Sequence, residues 1–361
     1  MEAGADQARK ALIVGVTGIQ GGALASHLAD LGWDVVGVAR RPSDQSGVTP
    51  IAADLTDESS AREALAGVDP THVFFTAWSR QATEAENIQV NGGMLRNLLA
   101  AVSGAPSLRH VALTTGLKHY LGPFEAYALT KPDTPFREDQ ERLPFPNFYY
   151  DQEDILWEFA GDAGFTWSVH RPHTVIGWAI GNAMNMGVTL AVYAAICRET
   201  GRPFVFPGSP EQYNAVTDVT DARVLARHLE WASVTPEAAN EPFNVVNGDQ
   251  FRWRRMWGII AERLGVEVAE YPGHPTPLVD QMANESPVWD RIVSKHGLVP
   301  HRLEQLASWW HSDADLGRTI ETFTDMTKSR LLGFNDYQPT DRSFLDLFER
   351  LRSERVIPSL N

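Results

Sequence analysis

Sulfur ligands and crosslinks are almost wholly missing from this 361-residue sequence, in which Cys197 is the one cysteine. A single thiol excludes an intrachain disulfide and any thiolate-rich metal site, and it suits a reducing cytoplasm, the expected location. Basic charge is also short, with 31 Lys and Arg against 46 Asp and Glu and a formal net charge of -15. That balance repels phosphate backbones and anionic bilayers, so neither nucleic acid nor a membrane surface is an expected partner. No apolar run approaches the length of a membrane span, and the opening MEAGADQARK has no apolar signal region. Histidines are scattered without ligand spacing, so His119 and His173 are expected to be structural and no metal site is expected. Repeats and low-complexity tracts are absent as well.

What is present is a chain long enough for two domains or one enlarged α/β unit, at ~150 residues per domain, with 43% hydrophobic residues. From Ala11 the sequence ALIVGVTGIQGGALASHLADLGWDVVGVARR runs strand, glycines, helix and second strand, a βαβ unit. Further strands are expected at Val73 to Thr76 and Val111 to Thr115, separated by helical stretches such as Asn91 to Val102. The alternation predicts a doubly wound parallel sheet of the Rossmann type, with helices on both faces. A helix is expected over Asp151 to Ala163, beginning close to Tyr150, and the strand FTWSVHRP after it stops at Pro172. The chain then returns to the sheet through TDVTDARVLARHLEWA and PFNVVNG. Residues 1–174 with 211–250 are thus assigned to a dinucleotide-binding domain. Residues 175–210 with 251–361 form a smaller, mostly helical substrate lobe, whose tryptophans, including Trp309 and Trp310, are expected to pack.

Gly15, Gly18 and Gly21 stand between the first strand and the first helix. In that context the first glycine permits the tight turn, the second lets a diphosphate approach the backbone, and the third lets the helix pack on the sheet. At the end of the second strand, where Asp or Glu would read a 2′-hydroxyl, the chain has Arg40 and Arg41. Guanidinium forks suit a 2′-phosphate, so NADPH is the expected cofactor. Asp54, where a third strand should end, is placed to accept from the adenine amino group.

A reductase of this type needs a phenol that donates to a carbonyl oxygen and an ammonium that favours the phenolate, an unperturbed tyrosine having a pKa of ~10. The common solution, YxxxK on one helix, has one formal match in Tyr127 and Lys131. Pro132 disfavours helix at Lys131, and Gly122, Pro123 and Pro135 flank the pair, so no stable helix is expected there. Tyr150 opens a well-patterned helix, but Asp154 stands four residues on. Its ammonium partner must come from elsewhere, and Lys118, just past the strand ending at Thr115, is the geometrically sensible donor.

This arrangement resembles the progesterone 5β-reductase/iridoid synthase-like enzymes, an atypical branch of the extended short-chain dehydrogenase/reductases. The likeness spans nearly the whole chain, in GVTGIQGG, VARRP, TGLKHYLGPFE, NFYYDQEDIL, NMGVTLAVYAAIC, EPFNVVNGDQFRW, PVWDRIV and LLGF. It implies Lys118 and Tyr150 as the catalytic pair, and 1,4-reduction of an α,β-unsaturated carbonyl by NADPH, with the pair stabilising the enolate. It also implies cofactor contacts from Thr17, Ile19, Leu55, Thr76, Ala77, Trp78, Lys118, Tyr150, Thr174 and Val175. The implied pocket is an apolar wall of Trp78, Leu121, Phe124, Thr174 and Phe334, joined by Trp178, Met184 and Met186, and it suits a small apolar enone. A homodimer is a further implied possibility. TAW at Thr76 to Trp78, Leu117, and RPHT at Arg171 to Thr174 depart from the plant pattern, on the nicotinamide and substrate side. Two other readings stay open at this stage. One is a carbonyl reductase using the same tyrosine, and the other is an NADP-binding redox sensor without chemistry.

Overall fold

The computed structural model describes residues 9–123, 132–182 and 184–360. Its centre is a seven-stranded parallel sheet in the order β3-β2-β1-β4-β5-β6-β9. The strands are β1 (Lys10–Val14), β2 (Asp34–Ala39), β3 (Val48–Ala52), β4 (His72–Phe75), β5 (His110–Thr114), β6 (Thr166–Pro172) and β9 (Glu241–Val245). A separate pair, β7 (Val175–Ile176) and β8 (Thr220–Asp221), lies where the chain leaves and re-enters this unit. The helices of the unit and its crossing are α1 (Ile19–Asp30), α2 (Glu58–Ala64), α3 (Glu84–Val102), α4 (Lys118–Leu121), α5 (Phe148–Ala163), α6 (Met186–Thr200), α7 (Pro210–Asn214) and α8 (Ala222–Val234).

The central strands are nearly continuous apolar runs because both faces are covered. Leu12 and Val14 of β1 face a core with Leu95, Leu98 and Leu99 of α3 and Ile155 and Leu156 of α5. Ala11 and Ile13 point to the opposite core, built with Leu24 and Leu28 of α1 and Leu225 and Leu229 of α8. This two-residue alternation fixes the register, in which Val14 of β1 stands opposite Val38 on one side and Phe75 on the other. Strand order reverses at β1, so the crevice beyond the carboxyl ends of β1 and β4 is where a ligand fits in such a sheet.

The second core is the helical lobe. Every residue of α6 from Met186 to Cys197 is buried, against Trp257, Trp289, Phe344 and Phe348 of the later helices. Packing therefore accounts for many of the tryptophans. The lobe boundary does differ from the expected one, since Met326 and Phe334 pack with α1 and α8 on the sheet.

A row of buried histidines crosses the sheet. His110 Nε2 and His170 Nε2 both meet the Ser168 hydroxyl at 2.8 Å, and His170 Nδ1 lies 3.0 Å from His228 Nδ1 on α8. Burial holds His110 and His228 at about 3 and His170 well below its ordinary value. All are neutral at physiological pH.

Candidate active site

One cleft of about 1620 Å³ follows the carboxyl ends of the strands and passes under the lobe. Its first wall is the glycine turn. Gly15 has φ +87°, a left-handed conformation that favours glycine, and its N–H donates to Val38 O at 2.9 Å. A methyl on Gly21 would stand 2.3 Å from Gly15 O, so only glycine lets α1 approach the turn this closely. The turn of Gly15, Thr17, Gly18 and Ile19 lines the cleft, with no side chain at the two glycines, a cradle that fits a diphosphate at the start of a helix. Arg40 and Arg41 line the cleft past β2, both exposed. Asp54 and Leu55 line it past β3, and hydrogen bonds from the Thr56 hydroxyl (2.7 Å) and backbone N–H (3.0 Å) lower the Asp54 carboxyl below its ordinary value. Thr76, Ala77 and Trp78 continue the wall past β4, with Thr174 and Val175 beyond β6.

The cation expected after β5 is there. Lys118 opens the short helix α4, is 8% exposed and lines the cleft, with its ammonium 3.6 Å from Glu84 Oε2 and 5.0 Å from the Phe148 ring centroid. Glu84 begins α3 just after the Thr83 capping box, and its other oxygen accepts from the Phe148 N–H at 2.8 Å. One carboxylate therefore holds both the lysine and the start of α5. Asn147 adds a second tie, because its Nδ2 donates to Lys118 O at 2.7 Å while its Oδ1 caps α5 by accepting from the Tyr149 N–H at 3.0 Å.

The tyrosine that meets the cleft is Tyr149, and the placement expected for Tyr150 is corrected. Tyr150 is 8% exposed and does not line the cleft; its hydroxyl donates to His119 O at 2.6 Å and accepts from the Leu143 N–H at 3.0 Å. Burial raises its pKa, and Arg142 lies 4.9 Å from the ring centroid. Behind it, Glu153 takes Arg142 at 2.9 Å and Arg171 at 3.3 Å. Burial alone would raise the Glu153 carboxyl, but His119 and these arginines hold it at about 2. Tyr150 thus braces α4 against α5. Tyr149, half-buried, lines the cleft, and a methyl on Gly116 would lie 3.2 Å from both its hydroxyl and Pro172 O. Its hydroxyl sits beyond the carboxyl end of β5, in the same cleft as Lys118. Helical phase could have signalled this. At about 100° per residue, the stripe Phe148, Gln152, Ile155 and Leu156 puts Tyr150 on the opposite side of the helix and Tyr149 at the stripe's edge.

Other expected wall residues part company. Trp78, Thr174, Trp178 and Met184 line the cleft. Leu121 does not; it is fully buried with Leu117, Tyr120 and Phe136 in a small cluster of its own. Phe334 packs 4.5 Å from His228 and 5.4 Å from Trp231, ring to ring, in the core around α8. Met186 belongs to the lobe core. Phe124, Tyr127 and Lys131 lie outside the described residues. Nor is the wall purely apolar, because Arg80, His311, Asp315 and Arg318 also line the cleft and were not foreseen. Among the described residues no helix is long and apolar enough to cross a membrane.

Comparison with known proteins agrees with this layout. The profile of the PRISE-like Rossmann-fold domain matches residues 49–358. An (S)-8-oxocitronellyl enol synthase of Nepeta racemosa is 42% identical, the match covering 96% of this chain and 93% of that protein. A 3-oxo-Δ(4,5)-steroid 5-β-reductase of Arabidopsis thaliana is 40% identical, with 96% and 93% covered. Among solved structures, an epimerase of Methanothermobacter thermautotrophicus superposes with a TM-score of 0.69 at 17% identity, over 96% of this chain and 93% of that one. A Bordetella bronchiseptica enzyme in complex with NAD+ gives a TM-score of 0.65 at 15% identity, over 95% and 98%. At such identities the structural likeness speaks for the extended Rossmann architecture alone.

Proposed function

This chain belongs to the PRISE-like Rossmann-fold family, and from that membership we propose that it is an oxidoreductase reducing the C=C bond of α,β-unsaturated carbonyl compounds with NADPH. The observation that carries the reading is the Tyr149 hydroxyl at Gly116, in one cleft with Lys118 and the glycine turn. The enol synthase and the 5-β-reductase named among its relatives support the reaction class.

NADPH, when bound, supplies a hydride to the β-carbon. The backbone cradle of Gly15 to Ile19 receives the diphosphate, and Arg40 and Arg41 offer guanidinium forks to the 2′-phosphate. Tyr149 donates its O–H to the carbonyl oxygen, and that bond strengthens as negative charge collects there. Lys118, held against Glu84, adds fixed positive potential from a largely buried position. A preorganised donor of this kind lowers the barrier by roughly 3–4 kcal/mol. Trp78, which lines the cleft past β4, adds apolar wall that helps keep water from the hydride path. Tyr150 takes no part in the chemistry; it positions the elements that carry Lys118 and Tyr149.

The test is product analysis with NADPH and a panel of cyclic enones, open-chain enals and steroid enones. Saturated carbonyl products are expected, with deuterium from 4-deuterated NADPH on the β-carbon. Allylic alcohols would instead mean hydride delivery to the carbonyl carbon, and no NADPH consumption with any of the three classes would refute the enzyme reading.

A further inference from the structure

Enone reduction asks for a donor and a cation at the carbonyl, yet the wall around Thr174 carries several more charged or titratable groups. Asp315 accepts from the Thr174 hydroxyl at 2.6 Å and is ion-paired with Arg318, whose Nη1 meets His173 Nε2 at 2.8 Å. A guanidinium cannot accept, so His173 keeps its proton on Nδ1 and donates it to Asp218 at 2.7 Å. Asp218 also accepts from the Thr324 N–H at 2.7 Å and hydroxyl at 2.8 Å. This run of contacts fixes Asp315 and Arg318 in the wall.

Two neighbours are differently disposed. Arg80, exposed beyond β4, stacks on Trp310 with its guanidinium carbon 3.5 Å from the ring centroid. Among the described residues it has no carboxylate partner. Stacking holds the guanidinium plane and leaves its rim N–H groups for a planar anion, the geometry that takes a carboxylate at two points. His311, on the helix Trp309–Leu316, is 8% exposed; its Nε2 lies 3.5 Å from Asp315, and its buried Nδ1 has no hydrogen-bond partner among the described residues. Burial lowers the His311 pKa, Asp315 opposes the shift, and Arg318 and Arg80 reinforce it. The neutral ring leaves Arg80 as the cation that an incoming anion meets.

The charge pattern runs against that of the whole chain. The protein carries a net charge of -15, yet with Lys118 paired to Glu84 and Arg318 to Asp315, Arg80 adds an unmatched positive charge to this part of the cleft. An uncharged enone leaves Arg80 unanswered. We propose that the substrate is an enone or enal bearing a carboxylate remote from its reacting carbonyl, with Arg80, held flat on Trp310, gripping the carboxylate. This rests on the enone-reductase reading and narrows its substrate class.

A matched pair tests it: an ω-carboxy enal and its methyl ester, assayed with NADPH on the wild type, Arg80→Ala and Arg80→Lys. In the wild type, kcat/KM for the acid should exceed that for the ester by roughly 10- to 100-fold, the range of a charge-assisted contact. Arg80→Ala should bring the ratio to about 1 through KM for the acid, and Arg80→Lys should recover part of it, which a merely structural arginine would not do. Calorimetric titration with the saturated acid and its ester gives the same comparison without turnover. An ester used as well as the acid, or a preference unchanged in Arg80→Ala, overturns the proposal. If neither compound is reduced, the reductase reading fails; the carboxylate site then stands only if titration shows an acid preference that Arg80→Ala abolishes.

Discussion

Replacing each of two adjacent tyrosines by phenylalanine separates chemistry from support. Tyr149→Phe removes the hydroxyl proposed to meet the reacting carbonyl and leaves the ring in place. Loss of one preorganised donor to a developing oxyanion costs about 3–4 kcal/mol, so kcat should fall by roughly 10²- to 10³-fold with stability almost unchanged. Tyr150→Phe leaves two buried groups, His119 O and the Leu143 N–H, without their partner. At about 1–3 kcal/mol for each orphaned group, the loss is about 2–6 kcal/mol. With an unfolding entropy of ~2.1 cal/mol/K per residue over 361 residues, Tm should drop by about 3–8 °C. Turnover of the folded Tyr150→Phe enzyme should stay within about threefold of wild type, because its lost hydroxyl never reaches the cleft. Enone-dependent NADPH oxidation and differential scanning calorimetry on the same preparations read both effects. The reasoning is refuted if Tyr150→Phe loses turnover at unchanged Tm while Tyr149→Phe keeps it.

Three further outcomes follow from the geometry. Gly21→Ala should weaken NADPH binding by about 5- to 150-fold in a fluorescence titration, since its methyl would lie 2.3 Å from Gly15 O and cost about 1–3 kcal/mol to accommodate. The double substitution Arg40→Ala/Arg41→Ala should lower kcat/KM for NADPH by about 10²-fold with little change for NADH; equal losses for both would remove the arginines from 2′-phosphate recognition. Acid should unfold the protein through its histidine row. His110 and His228 have native values near 3, below the unfolded value near 6.5, so their stability is complete above pH 6.5 and drains away as pH falls toward 3. At about 1.4 kcal/mol per unit, each should cost on the order of 3 kcal/mol by pH 4.5, and a urea midpoint that stays flat from pH 7 to 4.5 would contradict this.

The Rossmann half was legible because its signals are local. The alternation in β1, the glycines before α1 and the arginines after β2 each lie within a few residues of one another, and their order in the chain is their order in space. Lys118 was legible for the same reason, as the side chain just past a strand end. The choice between Tyr149 and Tyr150 is hinted at by the phase of α5 but fixed by its rotation, which Glu84 and the Lys118 carbonyl set from distant parts of the chain. Leu121 and Phe334 were placed by resemblance, which transfers positions but not the directions in which side chains point. The polar wall was hidden most deeply. Thr174 and Asp315 are 141 residues apart and meet only because the lobe folds back over the sheet. Singly, Arg80, Asp315 and Arg318 look like solvated charges.

Asn147 has a bearing on how such a chain can change over time. Its amide, with the Glu84 carboxylate and the Tyr150 hydroxyl, spans the gap between Lys118 and the first turn of α5, so the spacing of the two side chains is set through side chains as well as along the backbone that joins them. Residues can be gained or lost between positions 118 and 147 while lysine and tyrosine keep their distance, provided these ties, including the Leu143 N–H to Tyr150, are kept. Variation in length can therefore collect in that connection, and with it variation in what approaches the cleft, while the reacting geometry is inherited intact.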